Sequence, residues 1–335
     1  MSAIQQNIFS ALPGLEVPVA DVQTALSRMW ESPPGTGGQE PEEFRASQMN
    51  LILHLGRRAS VQEAHDLFMG VLRFARRYPC RIILLCPEEK GRQDTLMTLK
   101  VFAECYIGKT RRDRSCCEAL ILAYPGGSKD FLENQVSILL ENDLPTYYWF
   151  HRFSTARNAG RYHSFLKTCK RVVYDSGLET DDVSAIEWPH PGRVRDLVYA
   201  RLLPVRQSIG QFLSTFEPAS LCRDLESIEV RHVPEFSAEA RVLGQWFRER
   251  LADCAARAEE QAPPPPPDTS AEPGASDHPF ELRADYSDGR RFHWKADLAA
   301  GGGVVEARLE RSDMTLPFSV RLLSLEVELA EAFFF

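Results

Sequence analysis

Long apolar runs are missing from this 335-residue sequence: no stretch approaches the roughly 18 uninterrupted apolar residues that a membrane-spanning helix needs. No Lys or Arg precedes the short apolar pair Ile8 and Phe9, so no secretory leader is expected and the protein is expected to be soluble and cytoplasmic. Metal and disulfide signatures are also missing. The cysteines at positions 80, 86, 105, 116, 117, 169, 222 and 254 form no C-x-x-C pair, so neither a zinc site nor a disulfide framework of ordinary spacing is expected. Cys80, Cys86 and Cys105 lie in or beside apolar runs and read as small core hydrophobes. The histidines never occur as H-x-x-x-H or H-E-x-x-H, and the chain has no G-x-S-x-G elbow, no P-loop and no G-x-G-x-x-G. With no convergent acid, base and nucleophile, no catalytic residue, cofactor site or metal site is assigned. Positive charge is in deficit: 39 Lys plus Arg against 47 Asp plus Glu leave a net charge of −8, which argues against nucleic acid as a partner.

What is present suits a chain of two or more folded regions, 44% hydrophobic and 26% charged. The acidity is terminal. Residues 1–55 hold 2 basic and 6 acidic side chains, residues 56–258 hold 30 and 26, and residues 259–335 hold 7 and 15. Residues 1–45 read as an amphipathic helix around Val22, Leu26, Met29 and Trp30, followed by a Pro- and Gly-rich tether. Over 46–178 short apolar runs alternate with helical periodicity. QMNLILHL reads as a strand, Ser60 and Glu63 have capping-box spacing at the head of a helix, and RIILLC reads as a second strand. LKVFAECYI, CEALILAY, TYYWF and RVVYDS continue the rhythm, with helices at DFLENQVSILLEND and around His163 to Cys169. The expected fold class is α/β, a three-layer domain with a mostly parallel sheet. It is followed by a mainly helical region over 179–258, in which Pro204 should kink or split a helix and SIEVRHV is strand-like. A Pro-rich linker is expected over 259–278. A small antiparallel β meander, turning at Ser287 to Gly289 and ending in a helix, is expected over 279–335.

Several segments invite a functional reading. Gly126, Gly127 and Ser128 follow a strand and precede a helix, where an anion could meet helix-terminal N–H groups, although a plain turn suits the spacing better. Lys109, Arg111, Arg112 and Arg114 crowd one loop, which could receive a phosphate or an acidic protein surface. His151 and Arg152 stand just past TYYWF, at the end where α/β sheets bind ligands.

Four blocks carry more information by their order and spacing. They are VADVQTALSRMWES with its Trp, FRASQMNLILHL at 44–55, YPCRIILLC at 78–86 and ILLENDLPTYYWF at 138–150. Together they resemble the glucose-6-phosphate dehydrogenase assembly proteins, the OpcA family of cyanobacteria, actinobacteria and other bacteria. The second block has the family's Arg-Ala-Ser/Thr lead, and the third looks like an H-P-S-R-I-I-V junction. The fourth looks like an L-L-x-x-D-L-P-x-x-x-W-W segment. Tyr78 stands where a His is common and Phe150 where a second Trp is common, so aromatic bulk is kept. The resemblance implies a non-catalytic protein that binds glucose-6-phosphate dehydrogenase and promotes its active oligomer. It thereby implies higher flux into the oxidative pentose phosphate pathway and a larger NADPH supply. Redox control, associated with photosynthetic members, is not carried over to the C-terminal region, because no cysteine follows Cys254.

Aromatic and Arg residues dominate interface hot spots, which makes Tyr147, Tyr148, Trp149, Arg152, Arg111, Arg112, Arg114, Phe333, Phe334 and Phe335 candidates for the partner surface. Strand alternation assigns about half of the TYYWF set to the core, the preferred reading for it, and self-packing on their own domain is preferred to a partner for Phe333, Phe334 and Phe335. The rival reading is a sugar-phosphate or nucleotide-binding α/β enzyme that uses the Gly126 turn and the Arg111 to Arg114 loop.

Overall fold

A computed structural model describes residues 7–31, 47–88, 97–107, 114–125, 129–152, 162–178, 186–258, 268–271, 279–310 and 313–335. Its contacts divide the chain into two units, residues 1–196 with 329–335, and residues 197–328.

The first unit is an α/β fold. Its eight strands are β1 (Leu15–Val17), β2 (Met49–Leu55), β3 (Cys80–Glu88), β4 (Thr98–Ile107), β5 (Arg114–Pro125), β6 (Thr146–His151), β7 (Arg171–Tyr174) and β8 (Val194–Asp196). They lie in the order β1-β4-β5-β3-β2-β6-β7-β8. From β5 to β8 in that order, neighbours run parallel. β4 folds back antiparallel on β5, and β1 pairs antiparallel with β4. β2 and β6 are buried along their whole length, which is why they read as mostly apolar runs without alternation: helices cover both faces. On one face, Ile52, Ile83, Leu120 and Phe150 meet α2 (Val22–Glu31) through Val22 and Leu26, α4 (Lys129–Leu139) through Leu132 and Val136, and α5 (His163–Thr168) through Phe165 and Leu166. α3 (Val61–Arg77) buries Ala64, Phe68, Val71 and Phe74. Its capping box is made: Glu63 N–H donates to Ser60 Oγ at 3.1 Å and Ser60 N–H to the Glu63 carboxylate at 3.4 Å.

Residues 7–31 pack as part of this unit rather than as an appended helix. α1 (Ile8–Ala11) leaves backbone carbonyls free at its end, and the buried Lys100 ammonium donates to Phe9 O at 2.7 Å and Leu12 O at 2.9 Å. The tether beyond Glu31 lies outside the described residues. At the other edge the sheet continues past residue 178 through β8, whose three half-buried residues are too short a pattern to read. The expectation for cysteine is corrected in one place. Cys105 and Cys116 face each other across the β4–β5 hairpin and form a disulfide, so Cys105 is not a free core thiol. Their pairing depends on hairpin register, which spacing alone does not give. Cys80 and Cys86 are buried free thiols, and burial pushes the Cys86 thiol up to about 12.

The second unit is a six-stranded sheet with helices on one face. Its strands are β9 (Leu225–His232), β10 (Asp268–Ala271), β11 (Phe280–Tyr286), β12 (Arg291–Asp297), β13 (Gly302–Arg308) and β14 (Met314–Ser319), in the order β10-β9-β11-β12-β13-β14. All pairs are antiparallel except β10 with β9. β11 and β12 alternate strictly. Phe280, Leu282, Phe292 and Trp294 face Val205 and Ile209 of α7 (Leu203–Leu213) and Leu243 and Phe247 of α9 (Ser237–Ala258), and the short α8 (Pro218–Cys222) adds Leu221 to the same core. The opposite face carries ion pairs such as Lys295–Glu306 at 2.9 Å and Arg283–Asp285 at 2.7 Å. Because β9 pairs with β11, the helices and the meander share one core. The helix around Pro204 is split into α6 (Leu197–Arg201) and α7, with the ring in the first turn of α7, where its missing N–H costs nothing. Gly289, at φ +85°, closes the β11–β12 turn by donating to Tyr286 O at 3.0 Å. β14 was not legible, since Thr315 to Pro317 are exposed and show no apolar alternation. Within the expected linker, residues 268–271 form β10, and the rest lies outside the described residues. The chain ends in α10 (Leu325–Phe334). No helix among the described residues is long and apolar enough to cross a membrane.

Candidate functional site

The strand order locates where a ligand would enter. In chain order the parallel strands run outward from β2 to β3 and β5 on one side, then from β6 to β7 and β8 on the other. This is the 3-2-1-4-5-6 order of doubly wound dinucleotide folds, whose ligand crevice opens at the carboxyl ends of the strands flanking the reversal, here β2 and β6.

That crevice holds an ion-paired latch. The loop leaving β2 reaches α3 through Gly56, whose N–H donates to His151 O at 2.7 Å. Glu63, in the first turn of α3, accepts from His151 Nε2 at 2.8 Å and from Arg152 Nε at 2.6 and 2.8 Å. Arg152 adopts a left-handed backbone, φ 50°, which turns the chain at the end of β6. Burial raises the Glu63 carboxyl, but hydrogen bonds from Arg152 and His151 outweigh it and the net shift is downward. Burial lowers His151 against the pull of Glu63, so the ring is neutral at neutral pH. Sequence reasoning singled out His151 and Arg152 but not Glu63, 88 positions away, whose only signal is its place in the capping box.

On the other face of the sheet from His151, His54 of β2 is wholly buried among aromatics. Its Nδ1 meets the Tyr148 hydroxyl and its Nε2 meets the Tyr124 hydroxyl at 2.5 Å. Tyr162 bonds to Tyr124 in turn. Burial lowers His54 to about 3, so the imidazole is neutral, donating from one nitrogen and accepting at the other. Burial raises both phenols, Tyr124 and Tyr148. Next to these hydrogen-bonded rings lies a small, partly open pocket with room for about one water molecule, lined by residues that include Leu85, Glu133, Tyr148 and Tyr162.

The three sequence blocks within the parallel sheet meet at its opposite, amino end. Arg81 of β3, 2% exposed, donates from Nε to Glu118 at 2.5 Å, pairs through Nη2 with Glu141 at 2.5 Å and donates from Nη1 to Leu139 O, at the end of α4, at 2.9 Å. Asn50 of β2 donates to Glu141 O and Leu144 O and accepts from Glu141 N–H at 2.9 Å. Thus Asn50, Arg81 and Glu141, one from each block, fasten α4 and the turn before β6 to the sheet. Sequence reasoning missed them. The available signal was a polar residue inside each of two apolar runs.

The candidate partner residues divide. Tyr147, Tyr148 and Trp149 have their place in the core, each 2% exposed or less, and so does Phe333. Phe333 packs on Tyr147 at 5.0 Å between ring centroids, and Phe334 on Tyr78 at 4.8 Å, with Phe74 touching both. Phe335 is 79% exposed, and Arg152 is half-buried against Glu63. Arg111 and Arg112 lie outside the described residues, as do Gly126, Gly127 and Ser128, while Arg114 opens β5.

Fold and site together define a doubly wound α/β protein whose switch-point crevice is bridged by its own side chains. Residues 72–188 match the family described as the glucose-6-phosphate dehydrogenase subunit N-terminal domain, OpcA_G6PD_assem. Two curated relatives carry the name of the OxPP cycle protein OpcA. The one from Synechocystis sp. is 27% identical over 182 residues, and the one from Synechococcus elongatus is 26% identical over 173. These matches take in 52% and 51% of this chain but 37% and 38% of the relatives' lengths. The matched segment is thus similar to the OpcA family that the sequence blocks resemble. A crystal structure of glucose-6-phosphate 1-dehydrogenase from Mycobacterium avium aligns over 85% of this chain and 86% of that one, at 12% identity and a TM-score of 0.48.

Proposed function

We propose that this protein binds glucose-6-phosphate dehydrogenase and favours its active assembly, catalysing no reaction itself, and so supports the oxidative pentose phosphate pathway and its NADPH output. The observation that carries this reading is the match of residues 72–188 to a dehydrogenase-subunit family. The structure adds support from its chemistry. Asn50, Arg81 and Glu141 hold secondary structure together, and Glu63 bridges the crevice at which a doubly wound sheet would take a cofactor. A protein that binds the active assembly more tightly than the inactive one shifts the population by that difference in affinity and requires no active site. The test is steady-state kinetics of the dehydrogenase from the same organism, with and without this protein. A rise in kcat/KM for glucose 6-phosphate is expected, and unchanged constants at saturating protein overturn the reading.

The strand order itself favours a second reading, a nucleotide-binding enzyme. It predicts that NADP or NAD raises the melting temperature of the isolated protein, whereas the first reading predicts no shift with either.

A further inference from the structure

Two polar atoms on β6 lie buried without a hydrogen-bond partner among the described residues: the indole Nε1 of Trp149 and Nδ1 of His151. The side chains are 1% and 3% exposed, and strand alternation turns both to the same face of the sheet. Their rings meet edge to face with centroids 5.8 Å apart. Folded proteins pair the great majority of such atoms with protein groups or ordered water.

The two atoms are chemically opposite. An indole N–H can only donate. His151 turns Nε2 to the Glu63 carboxylate, which accepts a proton-bearing nitrogen, and in a neutral ring this leaves Nδ1 as an acceptor. One donor and one acceptor, two residues apart on a strand end, match a group that is both at once.

We propose that Trp149 Nε1 and His151 Nδ1 bind a single buried hydroxyl group, which accepts from the indole and donates to the imidazole. The hydroxyl belongs to a water molecule or to a small hydroxylated ligand, and the site lies where doubly wound sheets take ligands. Glu63 is a positioning residue here, because its contact with Nε2 fixes the tautomer that makes Nδ1 an acceptor.

The test is a crystal structure of the full chain after dialysis into solute-free buffer, at a resolution that resolves ordered water, together with the native mass of the same preparation. Density about 2.7–3.2 Å from both atoms is expected. A single-atom peak with no added mass identifies water, extended density with added mass identifies a ligand, and either upholds the site. A direct protein partner for either atom, or no density between them, overturns it. Nitrogen-15 spectra of the imidazoles give a second arm. The Nε2–H tautomer of His151 is expected, and an Nδ1–H tautomer overturns the proposal by leaving two donors and no acceptor.

Discussion

Replacing Arg81 with Ala isolates the role of the sequence blocks that carry the family resemblance. The guanidinium is 2% exposed and its partner Glu118 is 1% exposed, with Nε and Oε1 2.5 Å apart. Arg81→Ala removes the cation facing a buried carboxylate and the donor to the last carbonyl of α4. Breaking a buried ion pair from one side costs about 3–5 kcal/mol, because the remaining charge stays in a poorly solvated place. Domains are stable by about 5–15 kcal/mol in all, so the loss is a large share. Removing both charges with the volume kept, Arg81→Met with Glu118→Leu, avoids that penalty and should recover most of it. Urea denaturation at pH 7, followed by tryptophan fluorescence and far-ultraviolet circular dichroism, reads both variants as midpoint shifts at unchanged slope. A single variant within about 1 kcal/mol of the parent, or a double variant as unstable as the single, refutes a packing role for this arginine.

Other consequences follow from burial. Phe333→Ala empties a site enclosed by Tyr147 and Phe74 and should cost about 3–5 kcal/mol, whereas Phe335→Ala, at an exposed terminus, should stay within about 0.5 kcal/mol, both read by the same denaturation assay. His54 titrates near 3 in the folded chain against 6.5 ordinarily, so between those values the unfolded chain binds the additional proton and stability falls as pH drops. The slope reaches about 1.4 kcal/mol per pH unit, and His54→Gln should flatten it in urea midpoints taken from pH 7 to pH 4. Equal slopes for the two proteins would show that the imidazole is not neutral and buried.

How much could be read in advance depended on whether the signal was local. β2, β3 and β6 are mostly apolar runs because both faces are covered, and α3 announces itself through Ser60 and Glu63. Features made by distant pairing were not legible. The Cys105–Cys116 disulfide requires the β4–β5 register, the Glu63 latch joins positions 88 apart, and the continuity of β9 with β11 requires knowing which sheet β9 enters. Asn50 and Arg81 interrupt apolar runs, a visible local anomaly, but their meaning depends on Glu141 and Leu139, which only the fold brings to them. Tyr147 to Trp149 are a case that composition leaves open, with strand alternation favouring the core. Aromatic richness marks interfaces and cores alike, and complete burial of β6 decides for the core.

The account's central claim is a contact with another protein, and light scattering coupled to size exclusion tests it most directly. Mixed with glucose-6-phosphate dehydrogenase from the same organism, this protein is expected to co-elute with it in a species heavier than the dehydrogenase alone. Separate elution of the two at micromolar concentration, with unchanged masses, would contradict the claim.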